Sequence, residues 1–298
     1  MARLVFLGTP DVAVAPLRTL VDAGHDVALV VSRPDKRRGR GASLVPSPVK
    51  AAALELGLDI TDSLDDVPGV GAELGVVVAY GRIIPTAVLD QVPMVNLHFS
   101  LLPRWRGAAP VERAILEGDA ETGVCLMAVE AGLDTGGIYA ESDTVIGDDE
   151  TADELRARLV VMGCRLLEHH LGNGFAGLPV ARDQVGQPSY AEKILPVEHR
   201  IRWEQDAVQI HRVIRLGRAW TTFRGRRLRI LRAAVQPDGT SAGSGGAGPP
   251  GRLEGGTVTA GDGARLCLLT VQPEGRRPMD VGDWLRGSRP VRGERLGV

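Results

Sequence analysis

With 298 residues, 44% of them hydrophobic and 24% charged, the chain is long enough for two domains with a sizeable core, and its composition excludes global disorder. The net charge of −2 conceals an asymmetry: residues 1–206 carry 19 Lys+Arg against 30 Asp+Glu, a balance of −11, while residues 207–298 carry 16 against 7, a balance of +9, so the last third suits a polyanionic partner such as nucleic acid. The opening MARLVFLGTPDVAVAP breaks its apolar run at a glycine-proline turn, which fits neither a secretory signal nor a membrane span. Cys125, Cys164 and Cys267 have no disulfide or zinc spacing, and a reducing, cytoplasmic setting is expected.

In chain order, residues 4–8 and 26–32 are short runs rich in leucine and β-branched residues, predicted strands, and the apolar spacing of residues 12–23 predicts a helix between them. The turn GTPD, from Gly8 to Asp11, stands where a dinucleotide fold places its phosphates, but it is not GxGxxG, which argues against a nicotinamide cofactor. Residues 33–50 hold six basic residues and one acid among prolines and glycines, the composition of a segment that orders on a phosphate backbone or of a solvated turn. Strands are predicted at 75–80, 94–100, 122–130 and 138–146, with helices at 108–118 and 151–171; their alternation argues for an α/β fold with a mainly parallel, Rossmann-like sheet covered on both faces. The pattern weakens from residue 188, so a first domain is expected over 1–187, a linker over 188–206 and a second domain over 207–298. That last part opens with a predicted helix at 208–216 and continues in closely spaced strands at 219–223, 227–233, 256–260 and 265–272, the pattern of a small β-barrel. DGTSAGSGGAGPPG, residues 238–251, is low in complexity and is expected to be a loop with no role of its own.

The most informative stretch is VNLHFSLLPRWRGAAPV. Side chains two apart on a strand share a face, so Asn96 and His98 project together from the strand end while Leu97 and Phe99 face the other layer. Carboxyl ends of strands are where open α/β sheets hold ligands. A carboxylate, Asp134, follows on the glycine-rich loop AGLDTGG. An amide, an imidazole and a carboxylate supply what an amine attacking a carbonyl requires: an oxyanion donor, a proton-transfer group near neutral pH and an orienting charge. No serine or cysteine is evidently activated beside them, which favours direct transfer. Each of the three also has a structural reading, as a satisfied strand histidine, an amide bonding backbone in a turn and a turn-forming aspartate.

The strings FLGTPD, GRGASLVPSPVK, VVVAYGRIIP, VNLHFSLLPRWRGAAPV, GDAETGV and AGLDTGGIY, followed by PSYAEKI, RIRW and AWTTFRG, resemble in this order the methionyl-tRNA formyltransferase family over nearly the whole chain. The resemblance implies a formyltransferase-type sheet followed by an OB-like barrel that binds tRNA, with 10-formyltetrahydrofolate as co-substrate and no metal. It places Asn96, His98 and Asp134 at the family's catalytic amide, imidazole and carboxylate. Ser100, Leu101, Leu102 and Pro103 match its folate-contacting segment, and Arg82, Ile83 and Ile84 match a strand end bordering the pterin pocket. Arg40 stands in the basic loop that tRNA-specific members use on the acceptor stem, and Lys36, Arg37 and Arg38 lie beside it. The stretch 61–74 is shorter than the family pattern and the Gly-Ser-rich loop is an insertion; neither touches the catalytic positions.

The implied reaction is attack by the neutral α-amine of methionyl-tRNA on the folate-borne formyl carbon. Asn96 and protonated His98 donate to the tetrahedral oxyanion while Asp134 orients the imidazole. Which group carries each proton is left open by the sequence. The implied partners are initiator methionyl-tRNA and folate, with no membrane, and a monomer is expected. Two other readings stay in view. An enzyme formylating a sugar amine would share the three polar residues but lack the basic loop, and a non-catalytic RNA-binding protein would have no use for them.

Overall fold

From Leu4 onward every residue of β1 (Arg3–Gly8) is buried, as a strand covered on both faces requires. The structure, a computed structural model, describes residues 1–38, 43–172, 174–236 and 248–298. Six more strands complete the first sheet: β2 (Asp26–Val31), β3 (Ile60–Thr61), β4 (Leu74–Val78), β5 (Met94–His98), β6 (Glu121–Ala128) and β7 (Ile138–Val145), in the order β7-β6-β5-β4-β1-β2-β3. The pairs from β3 to β5 are parallel. β6 runs antiparallel to β5, and β7 antiparallel to β6.

From β1 the chain builds outward through β2 to β3 and then returns to the other side of β1. The carboxyl ends of β1 and β4 therefore flank a topological switch point, where such sheets hold ligands. The two strand ends are tied by Thr9 Oγ1, which donates to the Tyr80 carbonyl at 3.1 Å. Gly8 is required there, because a Cβ would stand 2.8 Å from the Phe6 ring and 3.2 Å from the Val78 carbonyl.

Local chemistry starts the helices. α1 (Val14–Asp22) follows β1 and buries Pro16, Leu17 and Leu20. α2 (Pro48–Glu55) has proline in its first turn, and the Ser47 hydroxyl accepts the Lys50 N–H at 3.0 Å as an N-cap. After α3 (Thr86–Leu89) and α4 (Pro110–Glu117), α5 (Ala152–Leu171) opens on a capping box. The Glu154 carboxylate accepts the Thr151 N–H at 2.9 Å and the Glu154 N–H reaches the Thr151 hydroxyl at 3.3 Å. Leu155, Leu159, Leu167 and Leu171, four and eight apart, give α5 its fully buried face.

The basic segment is tied at its base: Ser32 Oγ and Ser47 Oγ are 2.6 Å apart, and Lys50 Nζ lies 2.9 Å from the Asp35 carboxylate. Between these ties, strands Lys36–Arg38 and Ser43–Val45 pair antiparallel. Arg40 lies outside the described residues.

The described residues group into two compact units. One comprises residues 1–113, 121–145 and 156–193, and the other residues 114–120, 146–155 and 194–298. The stretch read as a linker from its sequence is ordered: Tyr190–Ala191 pairs with Arg106–Gly107 in the first unit, and Ile201 and Trp203 are buried in the core of the second.

The second unit holds α6 (Ala207–Arg215), strands β8 (Trp220–Phe223), β9 (Arg226–Val235), β10 (Leu253–Glu254), β11 (Thr257–Thr259), β12 (Arg265–Pro273) and β13 (Met279–Asp280), and α7 (Val281–Ser288). The strand order is β8-β9-β12-β11-β10 with β13 beside β12, antiparallel throughout. Its two edges are bridged by backbone near the end of the chain. Leu253 N–H donates to Glu294 at 2.9 Å, Leu296 N–H to Gly251 at 2.8 Å and Gly297 N–H to Thr222 at 2.9 Å. This sheet is compatible with the small barrel expected from the strand spacing. Most of the Gly-Ser-rich loop, residues 237–247, lies outside the described residues.

Candidate active site

β5 ends at His98, and its alternation aims the site. Leu97 packs toward α5, its Cδ1 only 3.1 Å from where a Gly163 Cβ would stand, so Asn96 and His98 project from the opposite face. Asn96 is half-buried, and its amide makes no hydrogen bond among the described residues, leaving its N–H donors available to a ligand. The His98 ring is buried. Its Nε2 lies 2.8 Å from the Trp105 carbonyl, which can only accept, so Nε2 carries a proton in this arrangement. Nδ1 faces Asp134 Oδ2 at 3.7 Å, wider than a direct hydrogen bond.

Asp134 reaches this position from the loop between β6 and β7 in a left-handed conformation, φ 50°, which aspartate tolerates better than most residues. Its Oδ2 accepts the Gly107 N–H at 2.8 Å. Gly107 is itself at φ 119°, and a Cβ there would lie 2.9 Å from the Ala191 carbonyl, so a side chain would push away the backbone that anchors the carboxylate. The site is thus an amide, an imidazole and a carboxylate converging at the carboxyl end of a central strand. The two ring nitrogens are differentiated: one is held by backbone and one opens onto the carboxylate.

The segment matching the family's folate contact follows directly. Ser100 is fully buried and its hydroxyl donates to the Arg104 carbonyl at 2.6 Å, closing the turn. Leu102 packs with Cys125, Met127 and Ile138. Leu101 fills the space a side chain at Gly123 would need, its Cδ2 standing 2.5 Å from that Cβ position. The side chains of residues 100–102 are thus taken up in packing and in closing the turn. At the end of β4, Arg82 and Ile83 are exposed and Ile84 is buried; Ile83 is 85% exposed, an apolar surface beside the switch point. Lys36, Arg37 and Arg38 lie on the paired basic segment, and a depression of about 560 Å³ is lined by residues that include Arg33, Lys50, Asp59 and Asp62.

Sequence reasoning did not single out Trp105, Gly107, Gln184 or Ser189. The Gln184 amide donates to the carbonyls of Asp134 and Gly136, both at 2.8 Å, and its oxygen accepts Arg106 Nε and Nη2 at 3.1 and 2.7 Å. The Ser189 hydroxyl accepts the Trp105 N–H at 2.9 Å. These contacts span 48 to 84 residues of sequence in a polar, aperiodic stretch, and nothing local announces them.

A family profile described as formyl transferase matches residues 2–170, and one described as formyl transferase, C-terminal domain, matches residues 193–289. The methionyl-tRNA formyltransferase of Dinoroseobacter shibae is 43% identical over 299 residues, covering 96% of this chain and 97% of its own length. That of Heliobacterium modesticaldum is 39% identical over 315 residues, covering 99% and 100%. Among solved structures, an N-formyltransferase from Helicobacter canadensis in complex with folinic acid and dTDP-3-aminofucose gives a TM-score of 0.71 at 18% identity over 92% of this chain and all of that one. A methionyl-tRNA formyltransferase from Clostridium thermocellum gives 0.56 at 16% identity over 80% of this chain and 96% of its own. At such identities the solved structures speak to fold alone. The relatives near 40% identity, aligned almost end to end and joined by both family profiles, assign the lineage: the chain belongs to the methionyl-tRNA formyltransferase family.

Proposed function

We propose that the protein transfers the formyl group of 10-formyltetrahydrofolate to the free amino group of methionyl initiator tRNA, giving N-formylmethionyl-tRNA for translation initiation. The observation that carries this reading is the near-complete alignment, at 43% identity, with a methionyl-tRNA formyltransferase. The geometry supports the chemistry: the unpartnered Asn96 amide shares a face with the His98 ring, and Asp134 waits across from Nδ1.

In this reading the folate supplies an electrophilic formyl carbon on nitrogen. The methionyl amine forms a new C–N bond to that carbon, the bond to the folate nitrogen breaks, and one amine proton ends on the departing nitrogen. Asn96 donates to the carbonyl oxygen as charge develops there. The His98 Nε2 proton is already engaged by Trp105, so the nitrogen that handles the moving proton is Nδ1, across from the carboxylate. Asp134 orients the ring and balances positive charge on it.

The backbone of Ser100, Leu101, Leu102 and Pro103, with Ile83 beside it, receives the folate. Lys36, Arg37, Arg38 and Arg40 receive the acceptor stem, and the basic part over 207–298 holds the rest of the tRNA, joined through 188–206 to the catalytic part over 1–187. The protein works in the cytoplasm as a monomer. Incubation with 10-formyltetrahydrofolate and charged initiator tRNA, followed by hydrolysis of the ester, is expected to release N-formylmethionine. Release of methionine alone, with formylation of a nucleotide-linked amino sugar in a parallel reaction, would replace this reading with the sugar-amine one.

A further inference from the structure

Between residues 181 and 190 the chain runs exposed over the first unit, and only Gln184 and Ser189 are partly buried. Each is bonded to one of the two loops that carry the site. Gln184 uses the full capacity of its amide: both N–H donors go to carbonyls of the Asp134 loop, and both lone pairs of its oxygen go to Arg106 on the loop after β5. Ser189 accepts the Trp105 N–H at 2.9 Å while the Trp105 carbonyl holds His98 Nε2. Trp105 sits at φ 61°, a left-handed conformation disfavoured for a bulky side chain, so its peptide needs outside support to stay in place. Backbone bonds complete the attachment: Arg106 N–H donates to Ser189 at 2.9 Å, Ser189 N–H to Pro103 at 3.2 Å, and Arg182 and Ile138 exchange bonds at 2.8 and 2.9 Å.

From this arrangement we infer that residues 182–191 form a strap that sets the catalytic geometry, with Gln184 and Ser189 as positioning residues that touch no reacting atom. The inference rests on the catalytic reading of His98 and Asp134. Gln184 fixes the Asp134 backbone relative to Arg106, the neighbour of the Gly107 N–H that anchors the carboxylate. Ser189 fixes the peptide that holds the imidazole. The gap between Nδ1 and Oδ2 is set by these two side chains, through loops neither belongs to. Proximity and orientation are steep in effect: a misplacement near 1 Å reduces turnover about 100-fold.

The test uses the full-length protein and steady-state kinetics with both substrates. Gln184→Ala is expected to lower kcat by roughly 10- to 100-fold with little change in KM for folate or tRNA and a melting temperature within about 4 °C of wild type. Gln184→Glu keeps the acceptor for Arg106 but loses both donors, and is expected to be as impaired as the alanine variant. Ser189→Ala is expected to lower kcat, and Ser189→Thr, which keeps the hydroxyl, to restore it. In the cycle with Asp134→Asn, adding Gln184→Ala is expected to lower kcat little further, because Gln184 acts through Asp134. Wild-type kcat in Gln184→Ala, full activity in Gln184→Glu, or a loss that appears in KM or tracks melting would overturn the strap. If His98→Ala and Asp134→Asn themselves keep wild-type turnover, the catalytic reading fails instead, and the two failures are told apart in one set of assays.

Discussion

His98 and Asn96 share a face, yet the proposed chemistry asks different things of them. His98→Ala is expected to lower kcat by about 10²- to 10⁴-fold while folate and tRNA binding are largely kept, because the imidazole acts on the transition state. Single-turnover rates at saturating substrate check this, and a near-normal rate would make the histidine structural. Asn96→Ala is expected to lose roughly 10²- to 10³-fold in kcat; a change confined to KM would contradict an oxyanion role. Cys125 lies opposite His98 in the strand register, fully buried, and burial pushes its thiol up to about 12. It therefore stays protonated at neutral pH and has no role as a nucleophile in this site. Labelling the native protein with a maleimide near pH 8, followed by mass spectrometry, is expected to leave Cys125 unmodified until denaturant is added. Rapid native labelling would mean that the sheet opens at this strand end. The paired positions 96 and 98 were readable because a strand alternates, and Asp134 because glycines surround a lone carboxylate. Trp105 gave no such signal, since no spacing rule marks a tryptophan whose backbone, not its ring, holds the histidine.

The longer elements were legible for the same reason that they are stable: apolar runs with the period of a buried strand or a one-sided helix. β3 has two residues and no period to read. α2 was absorbed into the basic loop although Ser47-Pro48 is a helix-start pair, because the prolines and arginines before it dominate the composition. The strap escaped because its order comes from partners 48 to 84 residues away. The capping box of α5 ties stability to pH. The Glu154 carboxyl is held down at about 2, first by the Thr151 N–H, then by the Thr151 hydroxyl and by Arg232. A carboxyl lowered in this way contributes stability that is present above its ordinary value of 4.5 and is lost as pH falls toward about 2. Thr151→Ala removes the hydroxyl contacts and is expected to destabilise the protein by about 1 kcal/mol, seen as a lower urea midpoint near pH 7. The gap to wild type is expected to narrow as pH drops through that window. A gap independent of pH would assign the loss to the helix cap alone, without the carboxylate.

Across the whole molecule, the acidic balance of −11 over residues 1–206 repels the same polyanion that the +9 of residues 207–298 attracts. In the proposed function, the local +5 of residues 33–50 lets the acidic part approach phosphate. tRNA affinity is expected to fall steeply with salt, and Arg40→Ala to reduce the log–log slope by about 1 with folate binding unchanged. Removing Arg276 and Arg277 is expected to weaken initiator and elongator tRNA alike, whereas removing Arg40 is expected to matter most for the initiator. Formylation rates against tRNA concentration at two salt concentrations decide this, and matching curves for Arg40→Ala and wild type would remove the loop from recognition. The strap adds a consequence in time. Ser189 meets Trp105 across 84 residues and Gln184 meets Asp134 across 50, so on the strap proposal His98 and Asp134 come into line only after both contacts have closed. Both contacts join loops carried at the ends of sheet strands, so they are expected to close only once the sheet has placed those ends. On dilution from urea the circular dichroism of the sheet is expected to recover first and formyl transfer afterwards, in a slower phase that lengthens in Gln184→Ala. Each refolding event is then expected to pass through a form that has its sheet and no catalyst.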